Sequence, residues 1–128
     1  MSYDLERARG HFEAKVAFTT GTHEVLGMIE QERDDVVLVD VRLPSDYRAG
    51  HIPGAINLPK GRWQNARGLK DKLHILYCYS QTCHLAAEAA VELLSQGYRV
   101  QEMEGGYATW TGAGYRVEEA PREVPARV

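Results

Sequence analysis

The stretch Leu73-His74-Ile75-Leu76-Tyr77-Cys78-Tyr79-Ser80-Gln81-Thr82-Cys83-His84-Leu85-Ala86-Ala87-Glu88 decides the fold class. Its first part, Ile75 to Tyr77, is apolar and β-favouring, and it ends in Cys78. Its last part opens an alanine-rich segment from His84 to Gln96, with Ala86, Ala89, Ala90, Leu93 and Leu94 on one helical face and Glu88 and Glu92 on the wet stripe. A strand, a short loop and a helix in that order place Cys78 at the carboxyl end of a strand. In open α/β sheets the crevice at that end is where ligands bind. The helix N-terminus aims unpaired N–H groups and a partial positive charge at the loop. This position predicts a lowered pKa and a reactive thiolate at Cys78.

Working outward, Val36-Val37-Leu38-Val39 is a continuous β-branched run, as in strands covered on both faces by helices. It leads into Asp40-Val41-Arg42. Pro44 and Ser45 open a helical turn through Ala49, with Ser45 as the expected N-cap. His51 to Asn57 reads as a turn leading into a short edge strand. Residues 60–72 are polar, with Trp63 and Leu69 as expected anchors, and Arg62 and Arg67 as candidates for a pocket rim. Tyr98 to Met103 reads as a last strand, Gly105-Gly106 as a turn, and Tyr107 to Trp110 as a further helical turn with Trp110 in the core. Upstream, residues 2–17 predict a helix capped by Ser2 or Asp4, with Leu5, Ala8 and Phe12 at helical spacing. Val16 to Thr19 follows as a short strand. A second helix, His23 to Glu32, is capped by Thr20 or Thr22 and turns Val25, Leu26 and Ile29 inward. The expected organisation is a helical arm and short strand over 1–20, one α/β domain over 21–117, and a charged, loose tail over 118–128.

Composition narrows the function. The chain has 128 residues, a net charge of −3 with mixed signs, and two cysteines. No basic footprint for nucleic acid is present, and no apolar run approaches the roughly 20 residues that span a bilayer. The N-terminus lacks the apolar region of a secretory signal. Both cysteines lie in one loop, so they cannot staple distant parts of a secreted fold, and a cytoplasmic protein with functional thiols fits better. Cys78, Cys83 and His84 do not have the spacing of zinc ligands, so no metal is expected.

The pieces Val37-Leu38-Val39-Asp40-Val41-Arg42, Asp46-Tyr47, Gly50-His51-Ile52-Pro53-Gly54-Ala55-Ile56-Asn57-Leu58-Pro59, Tyr77-Cys78, Gly97-Tyr98 with Val100, and Glu104-Gly105-Gly106-Tyr107 with Trp110 resemble the rhodanese-like sulfurtransferase family, in its order, over residues 36–114. The resemblance implies a five-stranded parallel sheet with helices on both faces. It implies that Cys78 takes sulfane sulfur from a donor, holds it as a persulfide and passes it to a thiol or other thiophilic acceptor, with no cofactor. A small-molecule or protein persulfide is the donor expected from the loop's departures from the family pattern. The active-site loop is then Cys78, Tyr79, Ser80, Gln81, Thr82 and Cys83. Its six-residue length is that of the sulfurtransferases, one residue shorter than in phosphatases sharing the fold.

The loop departs from the family pattern. Gln81 stands where Gly is frequent, and Tyr79 and Cys83 where Arg is frequent. The guanidinium groups that would grip a sulfonate or phosphate bidentately are missing, which argues against thiosulfate as donor. Asp40, Arg42 and Asp46 are read as structural support, with Arg42 paired to Asp46 and Asp40 capping nearby backbone N–H groups. His51 is read as turn packing and His84 as a solvent-facing residue of the helix start. Cys83 is a candidate resolving thiol. The rival functions are a thiol–disulfide redox protein using Cys78 and Cys83, and a non-catalytic module that binds a partner.

Overall fold

The computed structural model describes residues 2–120. The elements run α1 (Leu5–Phe18), β1 (Thr19–Thr20), α2 (Thr22–Glu30), β2 (Val36–Asp40), α3 (Pro44–Ala49), β3 (Ile56–Asn57), a 3₁₀ turn (Trp63–Asn65), β4 (Leu73–Tyr77), α4 (Leu85–Ser95), β5 (Arg99–Met103) and α5 (Gly106–Gly112). The five strands form one sheet in the order β1-β5-β4-β2-β3. Every pairing is parallel. This is the five-stranded parallel sheet that the strand–helix alternation and the resemblance imply.

Strand alternation divides the core in two. Leu76 and Cys78 face α4 together with Val39, Ala86, Ala89 and Leu93. Ile75 and Tyr77 face the other side, with Val25 of α2, Leu38, Ile52 and Trp110 of α5. The helices therefore cover both faces, and both faces of β4 are buried. Small side chains at Ala86 and Ala89 let α4 lie close to the sheet.

The topology fixes where a site can form. From β2 the chain moves outward to β3, and from β4 it moves the other way to β5. Adjacent strands whose connections diverge leave a crevice at their carboxyl ends. Asp40 pairs in register with Tyr77 there. The segments starting at Val41 and Cys78 leave the sheet side by side, joined by a hydrogen bond from Val41 N–H to the Tyr77 carbonyl at 3.1 Å.

Several local expectations change. Asp4 caps α1 through its side chain, accepting from Arg7 N–H at 3.0 Å. Yet α1 buries no residue, and Leu5, Phe12, Val16 and Phe18 are exposed. The short strand forms at Thr19–Thr20 rather than from Val16, because α1 continues through Phe18. Gly21, not Thr20 or Thr22, occupies the N-cap of α2. Leu43, not Ser45, is the N-cap of α3, because Pro44 already fits the first helical turn, where its missing N–H costs nothing. Trp63 is the anchor of its segment, buried and bonded through Nε1–H to the Leu58 carbonyl at 2.9 Å. Leu69 and Leu94 lie on the surface instead. The start of the expected tail is tied down: Glu118 pairs with His51 through reciprocal backbone hydrogen bonds at 2.8 and 2.9 Å, and Ala120 N–H reaches the Arg48 carbonyl. The rest of that tail, residues 121–128, lies outside the described residues.

Candidate active site

Cys78 is the first residue past β4, and its side chain falls on the α4 side of the sheet. It is buried, 2% exposed. The loop turns tightly after it, with Cys83 N–H bonded to the Ser80 carbonyl at 3.2 Å, and this turn brings Cys83 back against Cys78. The Cys78 thiol lies 3.4 Å from the Cys83 carbonyl and 3.9 Å from the Ser80 carbonyl. Cys83 is partly exposed, and both thiols are free.

The electrostatics reverse the expected order of the two thiols. Burial pushes the Cys78 thiol up to about 11, and the neighbouring Cys83 thiol adds to the shift, outweighing the Ala86 and Ser80 amides that favour its thiolate. The helix-terminus amides favour the thiolate, but desolvation and the second sulfur outweigh them. At Cys83 the balance is opposite. Burial still raises the pKa, but a hydrogen bond from Cys78 and the amides of Leu85 and Tyr79 outweigh it, so this thiol is lowered. Of the two thiols, Cys83 is shifted toward the thiolate and Cys78 toward the protonated form.

Support for the loop comes from the other face of the sheet. Asp40 is wholly buried, and its carboxylate accepts from Tyr77 Oη–H at 2.7 Å, from Arg42 N–H at 2.9 Å, and from the Arg42 guanidinium at 2.8 and 3.1 Å. The expected Arg42–Asp46 pair does not form. Arg42 is held by Asp40, donates to the Gly50 carbonyl at 2.5 Å, and reaches only the backbone carbonyl of Asp46, at 3.4 Å. Its guanidinium stacks over the Tyr107 ring, 3.9 Å from the centroid, and lies 5.7 Å from that of Tyr79. Asp46 instead accepts from Tyr79 Oη–H at 2.5 Å, while that hydroxyl accepts from Leu43 N–H at 3.1 Å. Tyr79 therefore latches the loop to the start of α3 and does not turn toward the sulfur. Burial and then Asp46 push its phenol up, keeping it a neutral donor.

Gln81 is also engaged away from the thiols. Its Oε1 accepts from Gly105 N–H at 2.5 Å. Ser80 and Thr82 meet through their hydroxyls at 3.4 Å. His84 is the exposed N-cap residue of α4, and His51 stacks on Tyr47 and bonds the Tyr47 carbonyl through Nδ1 at 2.8 Å, in line with turn packing. Trp110 is fully buried.

The α5 start contributes a second clamp that sequence reasoning did not assign to the site. Tyr107 N–H donates to the Cys78 carbonyl at 2.8 Å, and Ala108 N–H to the Tyr79 carbonyl at 2.9 Å. Gly106, just before them, has φ +64°, and a Cβ there would sit 2.7–2.9 Å from Ser80 N, Cys78 O and Tyr79 C. The Gly105-Gly106 pair was legible as a turn. Its close approach to the loop backbone was not. Among the described residues, no group of three or more His, Cys, Asp or Glu side chains is arranged to hold a metal ion. No helix described is long and apolar enough to cross a membrane.

Comparison with known proteins follows the same lines. The chain is 36% identical over 91 residues to the HTH-type transcriptional regulator Rv0324 of Mycobacterium tuberculosis, a match covering 70% of this chain but 40% of the regulator. It is 35% identical over 85 residues to the thiosulfate sulfurtransferase GlpE of Pseudoalteromonas translucida, covering 64% of this chain and 79% of that protein. The BH2092 protein of Bacillus halodurans superposes with a TM-score of 0.81 at 29% identity, over 91% of this chain and 87% of that one. The rhodanese-like domain profile matches residues 22–113, which hold the whole sheet apart from β1, the loop and its clamps. With that match, and with the cysteine loop seated where the sheet's connections diverge, the chain belongs to the rhodanese-like domain family.

Proposed function

We propose that this chain is a sulfurtransferase that carries sulfane sulfur as a persulfide in the 78–83 loop, with Cys78 as the carrier. The observation that supports it most is the seat of Cys78: past the central strand, buried, with the Ala86 and Ser80 amides reaching its sulfur. A persulfide formed there is enclosed against bulk solvent, beside N–H groups that stabilise negative charge on sulfur. The family relationship and the sulfurtransferases among the relatives support the same reading.

The donor is a persulfide, of a small thiol or a protein, and the acceptor a thiol. Sulfonate donors need a charged clamp, and this loop has none: Tyr79 is committed to Asp46 and Gln81 to Gly105. A cytoplasmic setting, where such thiols stay reduced, suits this chemistry. The competing reading is a thiol–disulfide redox protein, favoured by the contact between the two thiols. Intact-mass measurement after incubation with glutathione persulfide, and separately with thiosulfate, decides between them. The expected result is gain of one sulfur atom from the persulfide and little or none from thiosulfate. Loss of two hydrogens without gain of sulfur would establish the redox reading in its place.

A further inference from the structure

The two sulfurs of the loop sit in different surroundings. The Cys78 thiol is enclosed and points its proton at the carbonyl oxygens of Cys83 and Ser80, at 3.4 and 3.9 Å. Acceptors around a thiol favour its protonated form. Cys83 lies nearer the surface, at the rim formed by the exposed Gln81, Thr82 and His84. It immediately precedes the N-cap of α4, with the amides of Leu85 and Tyr79 directed to its sulfur. Donors around a sulfur favour the thiolate, which is the nucleophile. A donor arriving from solvent meets Cys83 first.

Resting on the sulfurtransferase reading above, we infer that Cys83 is the receiving nucleophile of the loop, taking sulfane sulfur from a low-molecular-weight persulfide and handing it inward to Cys78. In the first step the Cys83 thiolate attacks the outer sulfur of the donor RS–SH. A Cys83–S bond to that sulfur forms, the donor's S–S bond breaks, and the thiolate RS⁻ leaves. In the second step Cys78 attacks the same outer sulfur. The new Cys78 S–S bond forms, the bond from Cys83 breaks, and the Cys78 proton moves to the departing Cys83 sulfur. The oxidation level of the sulfane sulfur is unchanged throughout, so no external oxidant or reductant is needed. The sulfur ends in the buried position, where the Ala86 and Ser80 amides stand ready for it. The lowered Cys83 thiol and raised Cys78 thiol agree with this direction of loading.

The test uses the full chain as wild type, Cys78→Ser and Cys83→Ser, with glutathione persulfide as donor, rapid quenching by an alkylating agent, and fragment-ion mapping of the sulfur. Expected is early wild-type sulfur on Cys83 that moves to Cys78. Cys78→Ser should still take up sulfur and keep it on Cys83. Cys83→Ser should load at least about tenfold more slowly at pH 7, because only the buried thiol, pushed up by its burial, is left to attack the donor. Sulfur first on Cys78, or Cys83→Ser loading at the wild-type rate, would overturn the assignment. So would a Cys78–Cys83 disulfide with release of sulfide in place of a Cys78 persulfide, which would leave Cys83 a resolving thiol. A wild type that takes no sulfur at all would remove the sulfurtransferase reading and the relay together. Alkylation of untreated wild type at pH 7 separates the two: first labelling on Cys83 keeps it as the pair's nucleophile even then, and first labelling on Cys78 overturns it.

Discussion

Asp40, Arg42 and Tyr77 behind the 78–83 loop are buried and fully bonded to one another, whereas the fourteen residues of α1 bury none of their side chains. Both regions carry mixed charge and aromatic residues. The difference lies in what each residue can lose. Behind the loop, the Asp40 carboxylate is the shared acceptor of Tyr77 Oη–H and the Arg42 guanidinium, so removing it deprives both of their acidic partner. On α1, each side chain already faces water, and the helix is held to the sheet by a Lys15–Glu104 ion pair at 3.3 Å and a Gln101 side-chain bond to the Ala17 carbonyl at 3.1 Å. The same kinds of residue are therefore costly to change in one place and nearly free in the other.

Asp40→Ala is expected to give the largest effect. It leaves the Arg42 guanidinium buried without a counter-charge and the Tyr77 hydroxyl without its acceptor. Breaking a buried pair from one side costs about 3–5 kcal/mol. Denaturant unfolding should show a loss on that scale, a large share of a small domain's stability. A loss under about 1 kcal/mol would mean that Arg42 swings to solvent on removal of its partner, and the contrast with α1 would fail.

Gly106→Ala comes next. Its φ of +64° disfavours an L side chain, and the added Cβ would meet three backbone atoms of the loop rather than a flexible side-chain end. The expected cost is about 2–3 kcal/mol, with sulfur loading reduced because the loop must shift to make room. Unfolding curves and loading rates on one preparation check both. Wild-type loading at reduced stability would separate the fold requirement from the catalytic one.

Tyr79→Phe is smaller. It keeps the ring against Arg42 and removes the hydroxyl that joins Asp46 to Leu43 N–H. A half-exposed hydrogen bond to a carboxylate is worth about 1 kcal/mol here after allowance for solvent. The loop should loosen, and Cys78 should become more accessible to alkylation at fixed pH. Unchanged alkylation would show that the α5 clamp alone holds the loop.

Much of this arrangement was legible in the residues. The runs at Val36–Val39 and Ile75–Tyr77 and the alanine face of α4 specify the central strands and their covering helix. What was not legible follows from the physics. The residues suggest an Arg42–Asp46 pair, but the buried Asp40 carboxylate two residues back holds the Arg42 guanidinium instead. Cys78 was expected to be the acidic thiol from the helix terminus alone, because desolvation and the Cys83 sulfur depend on how the loop closes. Helical spacing at Leu5, Ala8 and Phe12 tells which side chains share a face of α1. It does not tell whether anything covers that face.

The last and smallest effect concerns that face. Phe12 is 58% exposed, and its ring meets His11 edge-on at 4.9 Å, a neighbour in sequence rather than a part of the core. Its replacement removes little buried apolar surface, so the transfer term that makes core substitutions expensive is nearly absent. Phe and Ser differ little in helix propensity. Asp4 capping and the contacts of Lys15 and Ala17 are untouched. Phe12→Ser should therefore change the unfolding free energy by no more than about 0.5 kcal/mol, in either direction. Chemical denaturation at low protein concentration, in parallel with Asp40→Ala, measures both ends of the comparison on one scale. A loss of about 2 kcal/mol or more for Phe12→Ser would place the ring against the body of the domain, since a burial term of that size needs a covered aromatic side chain.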